Sequence, residues 1–335
     1  MKNKKLRGIV LALGITVIGS VFVGCGSTTE DNSSKNENKQ EEKFTMEYTE
    51  TMQKMGFKDP LVLDKEPQKI VSMSTGITPV LFEMDAELIA IPNSKMFEAP
   101  SDYTGEKLQL VMNKDFDIET VVAMSPDLVI VSASQKDTYG KFLEESAIPV
   151  YYVNSGHTVS YESIKQETEV VINAFDEESE KGKEIMKSFD DLEARMEENK
   201  KLLEGKTTMV LQSAPPTHYI QSNKGSLGSM AEMIGLTNVY ENQESGMVPM
   251  DLETSLGYTP DLILTVGGSP LAEDHQKLME EDFKGNEKYW SSYEAIENGN
   301  IIYLPSTFVS SAGIKIIDNI NTLMDLVTEN LGLNN

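Results

Sequence analysis

The chain has 335 residues and one cysteine, and its 54 acidic residues against 29 Lys plus Arg give a formal net charge of −25. A chain of this length suggests about two domains. The excess of acid argues against nucleic acid as a partner, because binding to a phosphate backbone depends on basic side chains, and the single cysteine excludes an internal disulfide.

Residues 1–24 predict an export signal. Basic side chains at the start of the chain precede an apolar run at residues 9–23, which is shorter than the roughly 20 apolar residues of a membrane-spanning helix. The run ends in Phe22-Val23-Gly24-Cys25, which has the form of a lipobox with Phe22 where Leu is usual. We predict that Cys25 is lipidated and becomes the mature N-terminus, so that acyl chains anchor the protein to a membrane. The alternative is an incidental cysteine in an uncleaved anchor.

Residues 25–44 predict a flexible tether. Ser, Thr, Asn, Gln, Glu and Lys dominate this segment, and residues 26–43 contain no aromatic side chain. Such a composition cannot bury enough apolar surface to fold.

Residues 45–177 predict an N-terminal α/β lobe. Apolar runs at 69–73, 88–91, 128–131 and 148–153 have the character of buried strands, and helical stretches separate several of them. This alternation with short connections indicates a mainly parallel sheet. Ser74, in the polar turn after the first of these strands, is a candidate ligand-binding residue because backbone N–H groups at helix starts bind oxygen atoms. Ordinary strand-to-helix turn chemistry is the alternative.

Residues 178–205 predict one long amphipathic helix that joins this lobe to a second. Apolar residues from Ile185 to Leu203 recur at helical spacing among charged residues, and Gly205 is a natural stop. Strand and helix signals resume over residues 206–335 and predict a C-terminal α/β lobe.

One stretch occurs twice: DFDIETVVAMSPDLVIV from Asp115 and PMDLETSLGYTPDLILT from Pro249. Each copy supplies an aspartate that can cap a helix, a glutamate in the first turn, a proline that ends the helix and a buried apolar strand. One copy in each lobe excludes a solenoid.

Two lobes joined by a helix behind a lipoprotein signal resemble the helix-linked periplasmic binding proteins of siderophore, heme and cobalamin importers. KIVSMSTGITPVLF from Lys69 resembles that family's first strand and Ser-rich turn, with Thr75 where Pro is common, and residues 118–129 resemble its most recognisable segment. The likeness runs from about Lys69 to Val327. It implies a ligand cleft between the lobes, no intrinsic cofactor, and an ABC permease with its ATPase as partners.

The resemblance also implies two docking residues. In this family one acidic residue on each lobe pairs with arginines of the permease, and Glu119 and Glu253 stand at the matching places. The alternative is that each glutamate only favours a helix N-terminus, an effect of about 0.3–1 kcal/mol.

Within the family, residues 109–112 resemble the segment that ends in a heme-ligating methionine in the heme-receiving lipoproteins of Gram-positive bacteria. This implies Met112 as an iron ligand, against the alternative of a flexible core filler. The second histidine ligand of that group has no counterpart, because Val266-Gly267-Gly268 stand in its place. Heme is therefore one candidate ligand among several. His218 follows an apolar second-lobe strand and is expected to face the cleft, which makes it a candidate metal ligand, with a surface role as its alternative. Tyr219, Met96 and Trp290 are candidates to hold an apolar ligand body, and Trp290 can equally be core.

We expect a monomeric, lipid-anchored receptor on the extracellular face of the cell membrane that binds an iron complex, with heme favoured, and delivers it to an ABC permease. A cobalamin or siderophore receptor is the alternative within this class, and a surface enzyme or adhesin on the same scaffold is the alternative outside it. We predict no enzymatic activity, since neither Gly-x-Ser-x-Gly nor His-Glu-x-x-His occurs in the sequence.

Overall fold

A computed structural model describes residues 43–110, 116–154, 160–310 and 313–333. The predicted α/β fold with two lobes is confirmed. The elements of the first lobe, in chain order, are β1 (Phe44–Met46), α1 (Glu50–Lys54), β2 (Leu61–Leu63), β3 (Ile70–Ser72), α2 (Thr78–Glu83), β4 (Leu88–Pro92), β5 (Glu106–Leu108), α3 (Ile118–Ala123), β6 (Leu128–Ser132), α4 (Lys141–Glu145), β7 (Val150–Val153) and α5 (Tyr161–Asp176).

Five of these strands form a parallel sheet in the order β5-β4-β3-β6-β7. Helices cover such a sheet on both faces, so its central strands are apolar along their whole length, and every residue of β6 is buried. Strands β1 and β2 form a separate antiparallel pair.

The linking helix and the second lobe follow: α6 (Glu180–Leu202), β8 (Thr207–Ala214), β9 (Thr217–Gln221), α7 (Ser226–Met233), β10 (Thr237–Asn238), β11 (Met247–Pro249), α8 (Leu252–Ser255), β12 (Leu262–Val266), α9 (Ala272–Gly285), α10 (Glu287–Trp290), α11 (Glu294–Glu297), β13 (Ile301–Leu304), α12 (Thr307–Ser310) and α13 (Lys315–Asn330).

The sheet of the second lobe is mixed. Its main order is β11-β9-β8-β12-β13, with β10 paired to β8. Strand β9 is antiparallel to both of its neighbours, β8 and β11, and the remaining pairings of this sheet are parallel. The connection between β8 and β9 is Pro215-Pro216, which is too short for a crossover and therefore requires a hairpin. The two lobes thus have mainly parallel sheets, as predicted, and β9 is the strand that runs opposite to its neighbours in the second sheet.

Helix α6 occupies most of the segment 178–205. The Ser179 side chain caps it by accepting a hydrogen bond from the Gly182 backbone N–H at 3.3 Å. Arg195 ties it to α13 through a 2.6 Å bond to Asn321 Oδ1 and an ion pair with Asp325. Ile185 of the same helix packs against the hydrophobic cores of both lobes. The helix is thus a shared structural element of the two lobes.

The repeated stretch builds the same local structure twice. Asp117 caps α3 by accepting the Glu119 N–H at 3.0 Å, and Asp251 caps α8 by accepting the Thr254 N–H at 2.8 Å. The aspartate that follows the proline in each copy has a role that the sequence analysis did not identify. Asp127 accepts two backbone N–H groups just before β3, at 2.8 and 3.0 Å, and Asp261 accepts the N–H of the first residue of β8 at 2.8 Å. Each copy therefore fixes the start of the neighbouring strand.

Candidate functional site

A cavity of about 710 Å³ lies between the two lobes. The first lobe lines it with the loops that follow β3 and β6, with Met96, Leu110 and Asn154, and with the N-terminal half of α5. The second lobe lines it with residues 223–225, with one face of α7, with residues 308–310 of α12, and with Gly313 and Ile316 at the start of α13. Carboxyl ends of parallel strands meet at this edge, where α/β proteins commonly bind ligands. The predicted cleft between the lobes is present.

The lobes approach each other closely at one wall of this cavity. Gly313 has a φ of +65°, and a Cβ built on it would lie 1.8 Å from the carbonyl oxygen of Gly76. Both residues line the cavity. Only glycine fits at position 313, because any side chain would collide with the opposite lobe.

Most of the polar side chains that line the cavity are uncharged. Serine and threonine side chains come from both lobes, and thioethers come from Met73, Met96, Met230 and Met233. The loop after β3 is held by Thr78, whose Oγ1 donates to the Ser74 carbonyl oxygen at 2.6 Å. A surface of this kind suits an oxygen-rich ligand with an apolar body.

Two ionisable side chains in the lining have opposite characters. Lys224 is exposed, and its Nζ donates to the Glu244 carbonyl oxygen at 3.0 Å. Glu167 is only 7% exposed, and its Oε1 accepts the Asn154 backbone N–H at 2.5 Å. Burial raises the pKa of the Glu167 carboxyl to about 8, although the Asn154 hydrogen bond opposes the rise. Glu167 is therefore mainly protonated at neutral pH.

Tyr161, at the first turn of α5, is also part of the lining. Its hydroxyl donates to Glu193 Oε1 at 3.2 Å, and burial raises the pKa of the phenol. The side chain is therefore a neutral phenol and not a phenolate ligand. Beyond it, Asn223 Oδ1 is buried and has no hydrogen-bond partner among the described residues, although Asn223 lines the cavity.

The structure places two of the predicted ligand-binding residues, Ser74 and Met96, in the lining of the cavity. Met112 lies outside the described residues, as does the predicted lipidation site Cys25. Tyr219 is half-buried on β9 and is not among the lining residues.

His218 and Trp290 lie in a buried cluster of the second lobe and not in the cavity lining. The His218 ring has Nδ1 at 2.9 Å from Ser213 Oγ and Nε2 at 3.3 Å from Asp282 Oδ2, and Trp290 Nε1 donates to the same Asp282 oxygen at 2.8 Å. Burial lowers the pKa of His218 despite the nearby carboxylate. Both ring nitrogens are engaged inside the lobe, so His218 is not presented to a ligand in the cavity, contrary to the role considered from the sequence.

The two predicted docking residues occupy equivalent positions. Glu119 and Glu253 are exposed in the first turns of α3 and α8, one helix in each lobe. Each follows a capping aspartate, as the repeat predicts.

Sequence reasoning missed the contribution of α5. Ile164, Glu167 and Thr168 line the cavity from one face of this helix. One signal was available: Glu167 falls between Ile164 and Val171 on the apolar face of the helical pattern, where an acidic residue is unusual.

Within the described ranges, no group of three or more His, Cys, Asp or Glu side chains could hold a metal ion. No helix in the same ranges is long and apolar enough to span a membrane.

Comparison with known proteins shows which family has this architecture. Residues 70–307 match the family described as periplasmic binding protein. The petrobactin-binding protein YclQ of Bacillus subtilis is 24% identical over 322 residues, which cover 93% of this chain and 95% of YclQ. The YclQ crystal structure superposes with a TM-score of 0.63 at 20% identity and covers 87% of this chain and 99% of that one.

Other solved structures share the fold. An ABC transporter substrate-binding protein from Listeria monocytogenes has a TM-score of 0.64 at 20% identity, over 79% of this chain and 100% of that one. Staphylococcus aureus IsdE, solved with heme, has a TM-score of 0.60 at 19% identity, over 77% of this chain and 98% of that one. Proteins of this kind bind and transport solutes without catalysing a reaction, and what they carry is a transported ligand and not an intrinsic cofactor. As its resemblance predicts, the chain belongs to the periplasmic binding protein family.

Proposed function

We propose that this protein is the extracytoplasmic receptor of an ABC importer and that it carries an iron complex in the cavity between its lobes. The observation that carries the proposal is the cavity itself, since about 710 Å³ lined from both lobes lies within the range of small-molecule sites and suits a bulky chelate. The match to the periplasmic binding protein family supports a transport role.

Two classes of cargo have support. Heme is favoured by the thioethers in the cavity, because Met96 can ligate iron and the sequence adds Met112 as a candidate. A ferric siderophore is favoured by the many hydroxyl groups of the lining and by the similarity to a petrobactin-binding protein along almost the whole chain. In that case the iron is already fully coordinated, and the protein contacts only the organic shell.

Titration with both cargo classes tests the proposal. Purified residues 26–335 are titrated with hemin, ferric petrobactin and ferric desferrioxamine B, and binding is measured by native mass spectrometry and by absorption spectra. Heme as cargo requires a Soret band that differs from free hemin and changes in Met96→Ala or Met112→Ala. Binding of a ferric siderophore with the spectrum of the free complex supports the second class. Failure to bind any of the three contradicts the iron-complex proposal.

We further propose that Glu119 and Glu253 are the contacts to the permease. Their exposed, equivalent positions on α3 and α8 give a two-fold permease one acidic contact on each lobe. Replacing both with alanine is expected to abolish uptake in cells while ligand affinity stays unchanged. A matched control replaces Glu169 and Glu198, which are exposed glutamates on α5 and α6. Normal uptake by the Glu119/Glu253 variant contradicts the assignment.

The lipid anchor at Cys25 belongs to the same proposal and rests on the sequence motif alone. Cell fractionation tests it, because Cys25→Ala is expected to release the protein from the membrane fraction. Retention of the variant in that fraction contradicts the anchor.

A further inference from the structure

Glu167 is the buried acidic side chain in the lining of the cavity. It lies two turns into α5, on the same face as Tyr161, Ile164 and Thr168, and all four residues line the cavity. Helix geometry therefore directs this face toward the space that a ligand occupies.

Contacts with strand β7 fix the position of the carboxyl. The Asn154 backbone N–H, just after β7, donates to Glu167 Oε1 at 2.5 Å, and the Asn154 side chain donates to Ser163 Oγ at 3.0 Å. Asn154 also lines the cavity. These two bonds join Asn154 to α5, so the carboxyl is held at the wall before any ligand arrives, which lowers the entropic cost of binding.

A neutral carboxyl has one O–H donor in addition to its acceptor oxygens. Burial raises the pKa of Glu167 to about 8, so this proton is mainly present at pH 7. A glutamine or a leucine would fill the same helical position without the cost of burying an ionisable group. Buried acids with shifted titration that line a cavity are candidates for functional residues.

We propose that Glu167 binds the transported ligand by donating a hydrogen bond from its carboxyl O–H to an oxygen atom of the chelate. This inference rests on the proposed function and identifies oxygen acceptors on the organic shell as the feature that the first lobe recognises. Tyr161 lines the same cavity as a second neutral hydroxyl, although its own proton is directed to Glu193.

Other ionisable groups lie near Glu167 or line the same cavity. Tyr151 on β7 and Tyr161 on α5 have pKa values raised by burial, and Lys224 is exposed with its ammonium on the Glu244 carbonyl. His157, three residues after Asn154, lies outside the described residues. A change in affinity between pH 7 and pH 9 is therefore assigned to Glu167 only if it is present in the wild type and absent in Glu167→Gln.

The experiment compares the wild-type protein with Glu167→Gln, Glu167→Ala and the control Glu169→Gln, an exposed position on the same helix. Dissociation constants are measured at pH 7, 8 and 9 for whichever of ferric petrobactin, ferric desferrioxamine B and hemin the wild type binds. Wild type and Glu169→Gln are expected to lose about tenfold in affinity from pH 7 to pH 9, because only the protonated fraction binds well.

Glu167→Gln keeps an N–H donor and is expected to show an affinity that does not change over this pH range. Glu167→Ala removes the donor and is expected to bind about tenfold more weakly at pH 7, the equivalent of one net hydrogen bond. If the wild type binds a chelate and the three variants share its affinity and its pH profile, the role of Glu167 is refuted while the proposed function stands. If the wild type binds none of the three chelates, the proposed function fails, and this inference fails with it.

Discussion

Replacing Glu167 by glutamine is expected to stabilise the folded protein without a change of shape. Burial raises the pKa of this carboxyl from 4.5 to about 8, so between these two pH values the folded protein holds a proton that the unfolded chain has released. The stability that the protonated carboxyl contributes is fully present below pH 4.5 and is lost as the pH rises through 8. Glutamine stays neutral throughout and can still accept the Asn154 hydrogen bond.

The magnitude follows from the pKa shift. At pH 7, which lies about 2.5 units above the unfolded pKa of 4.5, the carboxyl is ionised in the unfolded chain and mainly protonated in the folded protein. Ionisation therefore stabilises the unfolded wild-type chain by about 3 kcal/mol, at about 1.36 kcal/mol per pH unit. Glu167→Gln should therefore exceed wild type by about 3 kcal/mol at pH 7 and match it near pH 4.5. At about 2 °C per kcal/mol in a chain of this size, the expected rise in Tm is about 6 °C.

Calorimetric melting at pH 5, 6, 7 and 8 measures this difference for wild type, Glu167→Gln and Glu169→Gln. Other titrating groups act equally on all three proteins, so the difference between variant and wild type isolates position 167. It should increase with pH for Glu167→Gln and remain near zero for Glu169→Gln. A difference that is constant from pH 5 to pH 8, or a less stable Glu167→Gln, would refute the assignment of a buried, protonated carboxyl.

Three further predictions concern other parts of the fold. Asp127→Asn should lower the free energy of unfolding by about 1–2 kcal/mol in urea denaturation, with ligand affinity unchanged, because it weakens the acceptor of two backbone N–H groups before β3. Gly313→Ala should destabilise the protein by about 2–4 kcal/mol and alter ligand affinity, because its Cβ would lie 1.8 Å from the Gly76 carbonyl oxygen. Burial lowers the pKa of His275, on α9, to about 4. The free energy of unfolding should therefore fall as the pH drops from 6.5 toward 4, because the unfolded chain takes up a proton there that the folded protein does not. In His275→Gln this fall should be less steep.

The sequence predicts best those features that depend on local signals. Asp117 and Asp251 predict helix caps, because capping requires a side-chain acceptor just before the first turn of the helix. The structure has both caps. The apolar run at 128–131 predicts a buried strand because helices cover both faces of a parallel sheet, and it lies within β6. The roles of Asp127 and Asp261 were missed because their partners lie more than fifty residues away.

Side-chain direction at the site is harder to predict, since it depends on how strands pair. His218 was expected to follow a strand and face the cleft. Instead Pro215-Pro216 turns the chain into a hairpin, and the alternation along β9 directs His218 and Ile220 into the core beside Trp290. A two-residue proline turn between apolar runs was a usable signal for that hairpin.

Comparison of the buried ionisable groups indicates which of them serves binding. His218 is surrounded by Ser213, Asp282 and Trp290 inside a packed core, so its polar contacts are internal and its role is structural. Glu167 has a single backbone donor among the described residues and borders a cavity large enough for a chelate. Its burial lowers the free energy of unfolding at pH 7, and the described part of the chain supplies no hydrogen bond to the carboxyl other than the Asn154 N–H to offset that loss. A carboxyl that is buried at the wall of a cavity with one backbone donor is best explained by a contact that forms only when the ligand is present. The pH dependence of ligand affinity, compared between the wild type and Glu167→Gln, decides whether that contact exists.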